Sequence, residues 1–316
     1  MHVTAKAPIN IALIKYWGKS DEKEVIPYND SLSVTLDAYH TTTTIEDACG
    51  EGFSFTLNGK LADEKTTTKV TSFLSFFADK NEINDIKIIS NNTGPTAAGL
   101  ASSASGFAAL SLAANHYFNK NYDLQTLAAI TRKGSGSACR SLLGGIVRWH
   151  QSGKISQVAA HTADWRMLFI LVDASVKKHK STEAMRHTVN TAPEYDKWVL
   201  KTKTDLAAML RALKKNDFPA IGNITEGNAL SMHKTMQSAT PPIDYFTEDT
   251  RKIITLIQQI RKKHGCNAYV TLDAGPNVKI LTDTKDDKFI VEQLQKAGYN
   301  DIIISKVATK GATILE

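Results

Sequence analysis

"SNNTGPTAAGLASSASGFAAL", residues 90–110, is the stretch from which the chain is best read. It holds four serines, two threonines, six alanines and three glycines but no charged residue, in a chain that is 22% charged. Small neutral side chains at this density have two explanations. Close packing of a helix needs backbones that can approach, and a large anion lying along a backbone needs side chains kept out of its way. Just upstream, "DIKIIS" reads as a short apolar strand; downstream, "SGFAALSLAANHYF" reads as a helix beginning near Ala101 or Ser102. Strand, loop of small residues and helix, in that order, aim backbone N–H groups and the positive end of a helix dipole at one point, which seats phosphate. The Gly-Lys-Ser/Thr ending of a Walker loop is missing, and the glycines do not fit G-x-G-x-x-G.

The rest of the chain sets the frame. At 316 residues it is long for one core, so two packed domains are expected. With 42% hydrophobic and 8% aromatic residues it has the composition of an ordinary globular protein. No window has the roughly 18 uninterrupted apolar residues of a membrane helix, and the amino terminus lacks the pattern of a secretion signal. Cys49, Cys139 and Cys266 are far apart and odd in number, which suits a reducing compartment, so a cytoplasmic protein is expected. The net charge of +6 is modest and its cations are interspersed with acids, with no basic stripe interleaved with aromatics; nucleic acid is disfavoured as a partner. Nine scattered histidines without metal-ligand spacing argue against zinc.

Strand patterns dominate the first part: "HVTAKAPINIALI", "SLSVTLDAYHTTTTIED", and "FSFTLNGKLAD" with a hairpin turn at Asn58 and Gly59. Val70, Phe73, Leu74 and Phe77 have helical spacing, and "DLQTLAAITRKG" reads as a helix with Gly134 as its C-cap. "GGIVRWH" and "WRMLFILVDA" return to strand character. Long helical patterns follow from Ser181, among them "TEDTRKIITLIQQIRKKHG", with Ile253, Leu256, Ile257 and Ile260 on one face and a stop at Gly265. "CNAYVTLDAG" and "NVKILTD" flank a Gly-Pro turn, and a helix and the strand "DIIISKV" close the chain. The change of texture places the domains at 1–180 and 181–316.

"PTAAGLASSAS" resembles the phosphate loop of the GHMP kinase superfamily, Pro-x-x-x-Gly-Leu-x-Ser-Ser-Ala, through Pro95, Gly99, Leu100, Ser102, Ser103 and Ala104. The resemblance implies ATP as co-substrate along residues 95–104, with Pro95, Ala98, Gly99, Leu100, Ala101, Ser102, Ser103 and Ala104 as ATP-binding positions, Asn91 nearby, and Mg²⁺ served by Ser102 or Ser103. It implies an α+β fold of two domains, the amino-terminal one like ribosomal protein S5 domain 2 and the carboxy-terminal one ferredoxin-like.

Other stretches narrow it. "APINIALIKYWGK" followed by "PYNDSLSVTL", "GSGSACRSLLGGIVRW", "STEAMRHTV" and "TLDAGPNVKIL" are similar, in order, to motifs of the diphosphomevalonate decarboxylases. Those enzymes phosphorylate the 3-hydroxyl of mevalonate 5-diphosphate with ATP and release phosphate and CO₂, giving isopentenyl diphosphate. The resemblance implies that Asp273, Lys15 and Arg140 are catalytic: Asp273 as the base near the hydroxyl, Lys15 beside it, Arg140 on the substrate carboxylate. It implies that Tyr16 and Lys19 bind the diphosphate, and that Ser135, Ser137, Ser181 and Thr182 also meet the substrate. It implies a homodimer as well. Each residue has a plainer reading. Asp273 suits a turn, Ser181 a helix cap, Trp17 simple packing, and Lys65, Lys69 and the "KKHK" run a solvated surface.

Two rivals stay open on sequence alone. One is a protein of the same fold that stops at phosphorylation or prefers the monophosphate; the other is a non-catalytic module that binds RNA.

Overall fold

The computed structural model describes residues 1–94, 102–172 and 179–315, with only the backbone of Ser102 included. Its first sheet is built on two long strands, His2–Ile14 and Ser31–Asp47, paired antiparallel from His2 opposite Glu46 to Ile14 opposite Leu32. The register shifts at Pro8, which has no N–H to give the ladder. Ile86–Asn92 pairs on the far side of Ser31–Asp47, and Ser54–Leu57 lies parallel to it. The Asn58-Gly59 turn has φ of 50° and 75°, the two left-handed residues that a tight hairpin needs. The Thr41–Thr44 run alternates as a strand should: Thr41 and Thr43 are buried, with hydroxyls 2.7 Å from Ser105 and 2.8 Å from Ser90.

The helix Ser102–Tyr117 lies against this sheet, and Ala104, Ala108, Ala109, Ala113 and Ala114 are fully buried in its core. Close packing therefore explains the small residues of the helical half of the opening stretch. The helix Leu124–Gly134 ends differently from the sequence expectation. Its C-cap is Ser135 in an extended conformation, and Gly134 is the last helical residue. A Cβ at Gly134 would come 2.1 Å from the Phe107 ring, so glycine is there to let two helices touch.

The second sheet has the antiparallel order Tyr269–Thr271, Val278–Asp283, Trp165–Ile170, Ile302–Lys306. Both of its faces are covered. Met167 and Phe169 join a core shared with Ile9, Ile11 and Leu13 of the first strand and with Met209 and Leu213 of the helix Tyr195–Lys215. Leu168 and Ile170 point the other way, toward Ile253, Ile257 and Ile260 of Glu248–His264 and toward Ile290 and Leu294 of Asp287–Lys296. Gly265 caps Glu248–His264 in the left-handed region.

Sheet membership does not divide at 180. Trp165–Ile170 pairs wholly within the second sheet, and Thr313–Leu315 returns to pair with the first strand, His2–Ile14.

Candidate active site

The first strand delivers Lys15-Tyr16-Trp17-Gly18-Lys19 into a cleft, and neighbouring side chains fix its path. The Lys15 N–H donates to Asn228 Oδ1 at 2.8 Å, Asn29 Nδ2 donates to the Lys15 carbonyl at 2.8 Å, and the Tyr195 hydroxyl donates to the Trp17 carbonyl at 2.7 Å. Gly18 has φ of 100°, and a Cβ there would meet the Tyr195 oxygen at 2.0 Å. Trp17 is packing, as expected, buried with Met185, Tyr195 and Trp198.

Asp273 lies on the connection between Tyr269–Thr271 and Val278–Asp283, with its side chain 30% exposed. Lys15 Nζ donates to its Oδ1 at 2.8 Å and Lys279 Nζ lies 3.2 Å from its Oδ2; these lysines are 1% and 2% exposed. Burial alone would raise the Asp273 carboxyl, but the two ammonium charges and their hydrogen bonds outweigh it and hold the group well below the usual carboxylate range. Lys15 moves down because burial outweighs what Asp273 restores. Lys279 was missed in the sequence, although a lysine inside the apolar run "NVKIL" was a signal.

Arg140 sits in the short 3₁₀ helix Gly136–Leu142 and is only 3% exposed. Its Nε donates to Asn10 Oδ1 at 3.1 Å, its Nη1 to Ser31 Oγ at 2.5 Å, and its guanidinium lies 6.0 Å from the Trp149 ring centre. Asn10 is itself fixed, since its Nδ2 donates to Ser141 Oγ at 2.9 Å and to the Ser137 carbonyl at 3.1 Å. Among the described residues no carboxylate pairs with Arg140. A buried guanidinium whose hydrogen-bond partners among the described residues are neutral is poised for an anion. Asn10, a polar residue at a buried position of an apolar strand, was likewise a legible signal.

The cleft measures about 790 Å³. Tyr16, Lys19, Ser135, Ser137, Ser181 and Thr182 line it together with Lys15, Arg140 and Asp273, so the substrate-binding positions proposed from sequence meet in one place. The Tyr16 ring lies 4.7 Å from that of Trp149, and its buried hydroxyl has no partner among the described residues. Gly136 makes room for it: a Cβ there would come 2.8 Å from the Tyr16 oxygen. Lys69, Arg132, Lys133 and Lys180 add positive charge to the walls. Lys69, expected to be solvated, stands 4.5 Å over the Phe107 ring. Lys65 is pulled below its ordinary value by its contact with Lys180 and that neighbour's charge, the mark of like charges held together. Glu22 lies 2.9 Å from Lys19 and Glu24 3.1 Å from Lys133, so carboxylates of the chain itself already rest on two of these cations. Ser181 does not cap its helix. The N-cap is Lys180, extended and without a side-chain capping bond, and Ser181 is the first helical residue, on the cleft wall.

On the nucleotide side, Pro95, Ala98, Gly99, Leu100 and Ala101 lie outside the described residues, as does the side chain of Ser102. Ser103 lines the cleft, its hydroxyl 3.4 Å from that of Ser135. The side chain of Ala104 is in the core, which leaves only its backbone N–H, in the first turn of the helix, to serve a ligand. Asn91 is exposed on Ile86–Asn92, paired with Thr42, and is not among the residues lining the cleft. Among the described residues no cluster of three or more His, Cys, Asp or Glu could hold a metal. The hydroxyls of Ser103 and Ser135 are oxygen donors of the kind that Mg²⁺ accepts.

Residues 7–160 match the family described as "Diphosphomevalonate decarboxylase-like N-terminal domain" and residues 167–312 the "Mevalonate 5-diphosphate decarboxylase C-terminal domain". A diphosphomevalonate decarboxylase of Ganoderma lucidum is 37% identical over 327 residues, covering 93% of this chain and 81% of its own. The crystal structure of mevalonate diphosphate decarboxylase from Staphylococcus aureus superposes with a TM-score of 0.94 at 35% identity, over 100% of this chain and 98% of its own. A structure described as "MDDEF in complex with MVAPP, AMPPCP and Magnesium" superposes with a TM-score of 0.93 at 38% identity, over 100% and 99% of the two chains.

Proposed function

We infer an activity from the fact that the chain belongs to the diphosphomevalonate decarboxylase family: it is an ATP- and Mg²⁺-dependent enzyme of the mevalonate pathway that converts mevalonate 5-diphosphate to isopentenyl diphosphate. The observation that carries this reading to particular residues is the meeting of a doubly held carboxylate, Asp273, with a buried guanidinium, Arg140, that pairs with no carboxylate among the described residues, in one cationic cleft. A pure phosphate-binding protein has no need of an ionised acid there.

Each polar wall takes one part of the substrate. Arg140, steadied by Asn10 and Ser31, offers its free edge to the carboxylate, where a planar fork meets two oxygens. Tyr16 and Lys19 serve the diphosphate, Lys19 exchanging Glu22 for a phosphate oxygen. Ser135, Ser137, Ser181 and Thr182 complete the polar lining. The 3-hydroxyl then lies against Asp273, which accepts its hydrogen bond.

A carboxylate pinned by two ammonium groups stays ionised at any physiological pH but is a weak proton acceptor. Its first task is therefore to orient the hydroxyl oxygen toward the γ-phosphorus, and it takes the proton only as the new O–P bond forms, which a loose phosphoryl-transfer transition state allows. Magnesium, when bound, neutralises phosphate charge during the transfer. In the second stage the C3–O bond breaks and its electron pair leaves with phosphate. The electron pair of the C–carboxylate bond becomes the alkene, and CO₂ departs from beside Arg140.

We place the nucleotide along residues 95–104, with Ser103 nearest the transfer. We place the enzyme in the cytoplasm, where its three free thiols would stay reduced, and carry over the homodimer that the resemblance implies. We divide the domains by sheet membership, near 160, with the last strand returning to the first domain.

Incubation with ATP, Mg²⁺ and either mevalonate 5-phosphate or 5-diphosphate, followed by product identification, tests the reading. Isopentenyl diphosphate and CO₂ from the diphosphate are expected. A phosphorylated product that accumulates without CO₂ would make the protein a kinase, and preference for the monophosphate would remove Lys19 and Tyr16 from their roles.

A further inference from the structure

Lys279 has no role in the reaction as read so far. It is the second residue of Val278–Asp283, a strand buried along its whole length, and stands between Phe169 and Thr271 on the neighbouring strands. An ammonium in such a place is costly unless paired. Its salt-bridge partner among the described residues is Asp273, through Oδ2. Yet Lys15 already balances that carboxylate through Oδ1. Two buried ammonium groups on one carboxylate leave a positive charge over, so neutrality does not explain the second lysine.

Geometry does. The terminal torsion of an aspartate is broad, with no sharp preferred angle. Asp273 sits on a connection outside both flanking strands, so neither ladder fixes it. A single contact at Oδ1 leaves the carboxylate free to turn about that contact. A second at Oδ2, from a lysine anchored in the middle of a sheet, sets the plane of the group.

We propose that Lys279 is a positioning residue: by holding Oδ2 it fixes the plane in which Asp273 meets the substrate hydroxyl, an inference that rests on the activity proposed above. The other charged or titratable groups whose fields reach Asp273 are Lys15 at the end of the first strand, Arg140 in the 3₁₀ helix and His233 on the helix Phe218–Gln237. Arg140 stays charged throughout, and burial pushes His233 down to about 3, so neither changes charge near neutral pH. Two cations keep Asp273 ionised through the working range of the enzyme, and its protonation would set an acid limb only below that range. Removing one of its two cations must move that limb toward higher pH.

The test compares the wild-type full chain with Lys279→Met and Lys279→Arg, measuring kcat, KM for both substrates and kcat against pH, with melting temperature as the check on folding. Lys279→Met leaves Asp273 paired with Lys15 and is expected to fold. It should lose at least about 10-fold in kcat, since small misplacements of reacting groups are that costly, with KM changed less than about threefold. Its acid limb should move up, and Lys279→Arg should recover part of the rate. Should Lys279→Met fail to fold, Lys279→Gln, which keeps a donor but no charge, is read by the same criteria. A kcat within about twofold of wild type with an unmoved acid limb makes Lys279 a packing residue and overturns the proposal. So does a rate loss with neither a limb shift nor recovery in the arginine variant. A wild-type chain that releases no CO₂ defeats the activity reading itself, whereas active wild type with indifferent variants defeats only the role of Lys279.

Discussion

Asp273→Asn separates the electrostatic part of Asp273 from its shape. The substitution keeps the size of the side chain and removes the negative charge that Asp273 places between Lys15, Lys279 and Arg140. Three effects follow, with different signs. Turnover falls because an amide orients the hydroxyl poorly and accepts no proton; a positioned acid or base is worth about 10²–10⁴-fold. Affinity for the anionic substrate rises, because the cleft loses its competing carboxylate. Stability falls, because two nearly fully buried ammonium groups lose their partner. Breaking a buried pair costs about 3–5 kcal/mol, and since Asp273 is partly open to the cleft about half of that is expected, a drop of roughly 2–4 °C in a chain this long. The loss depends on pH in a definite direction. Burial already holds Lys15 below its ordinary value, and the counter-charge that raises it is now gone. The unfolded chain then binds more protons than the folded one below the ordinary lysine range, so the stability of the variant climbs as pH rises from 6 to 9 more steeply than that of wild type. Single-turnover CO₂ release, calorimetric titration with mevalonate 5-diphosphate and melting curves across that range measure the three effects. A variant within about tenfold of wild-type turnover, or one that binds substrate more weakly at unchanged stability, refutes the reasoning.

Other outcomes are equally specific. Glu22→Gln frees Lys19 from a half-exposed ion pair, so KM for the diphosphate should fall, by about fivefold at most, with kcat unchanged; a rise in KM shows that Glu22 helps binding instead. Gly134→Ala drives a methyl group into the Phe107 ring and should cost about 1–3 kcal/mol in a denaturant titration, whereas an unchanged midpoint contradicts the packing at that contact. Arg140→Lys cannot hold Asn10, Ser31 and a carboxylate at once, and should raise KM for the substrate by at least about tenfold while leaving KM for ATP nearly unchanged. In native protein, maleimide should label Cys49 well ahead of Cys139, whose thiol is buried and pushed up to about 12; early labelling of Cys139, read by mass spectrometry, counts against the described core.

The sequence carried most of this because its patterns were local. Thirteen residues of one strand and seventeen of the next were marked out by β-branched runs, and Thr247 and Gly265 bracket the helix Glu248–His264 as cap and stop signals should. What escaped was non-local. Thr313–Leu315 is a short strand whose place depends on its partner more than 300 residues away in the chain, at Thr4–Lys6. The 3₁₀ helix Gly136–Leu142 has the glycine and serines of a loop, and its packing near Trp149 and beside Asn10 gives Arg140 its burial. Gly134 looked like a C-cap because glycine near a helix end usually is one; here contact with Phe107 decided the residue. Lys279 and Asn10 were visible as polar interruptions of apolar strands, but the charges they meet, Asp273 and Arg140, could be seen only in the folded chain.

The most direct measurement counts products in one pass: ADP, phosphate and CO₂ formed by limiting mevalonate 5-diphosphate with excess ATP and Mg²⁺. Equal amounts of all three are expected if a tertiary phosphate is made and discarded beside Asp273. ADP appearing without matching CO₂, or no ADP unless the diphosphate is replaced by another alcohol, would contradict the account at its centre.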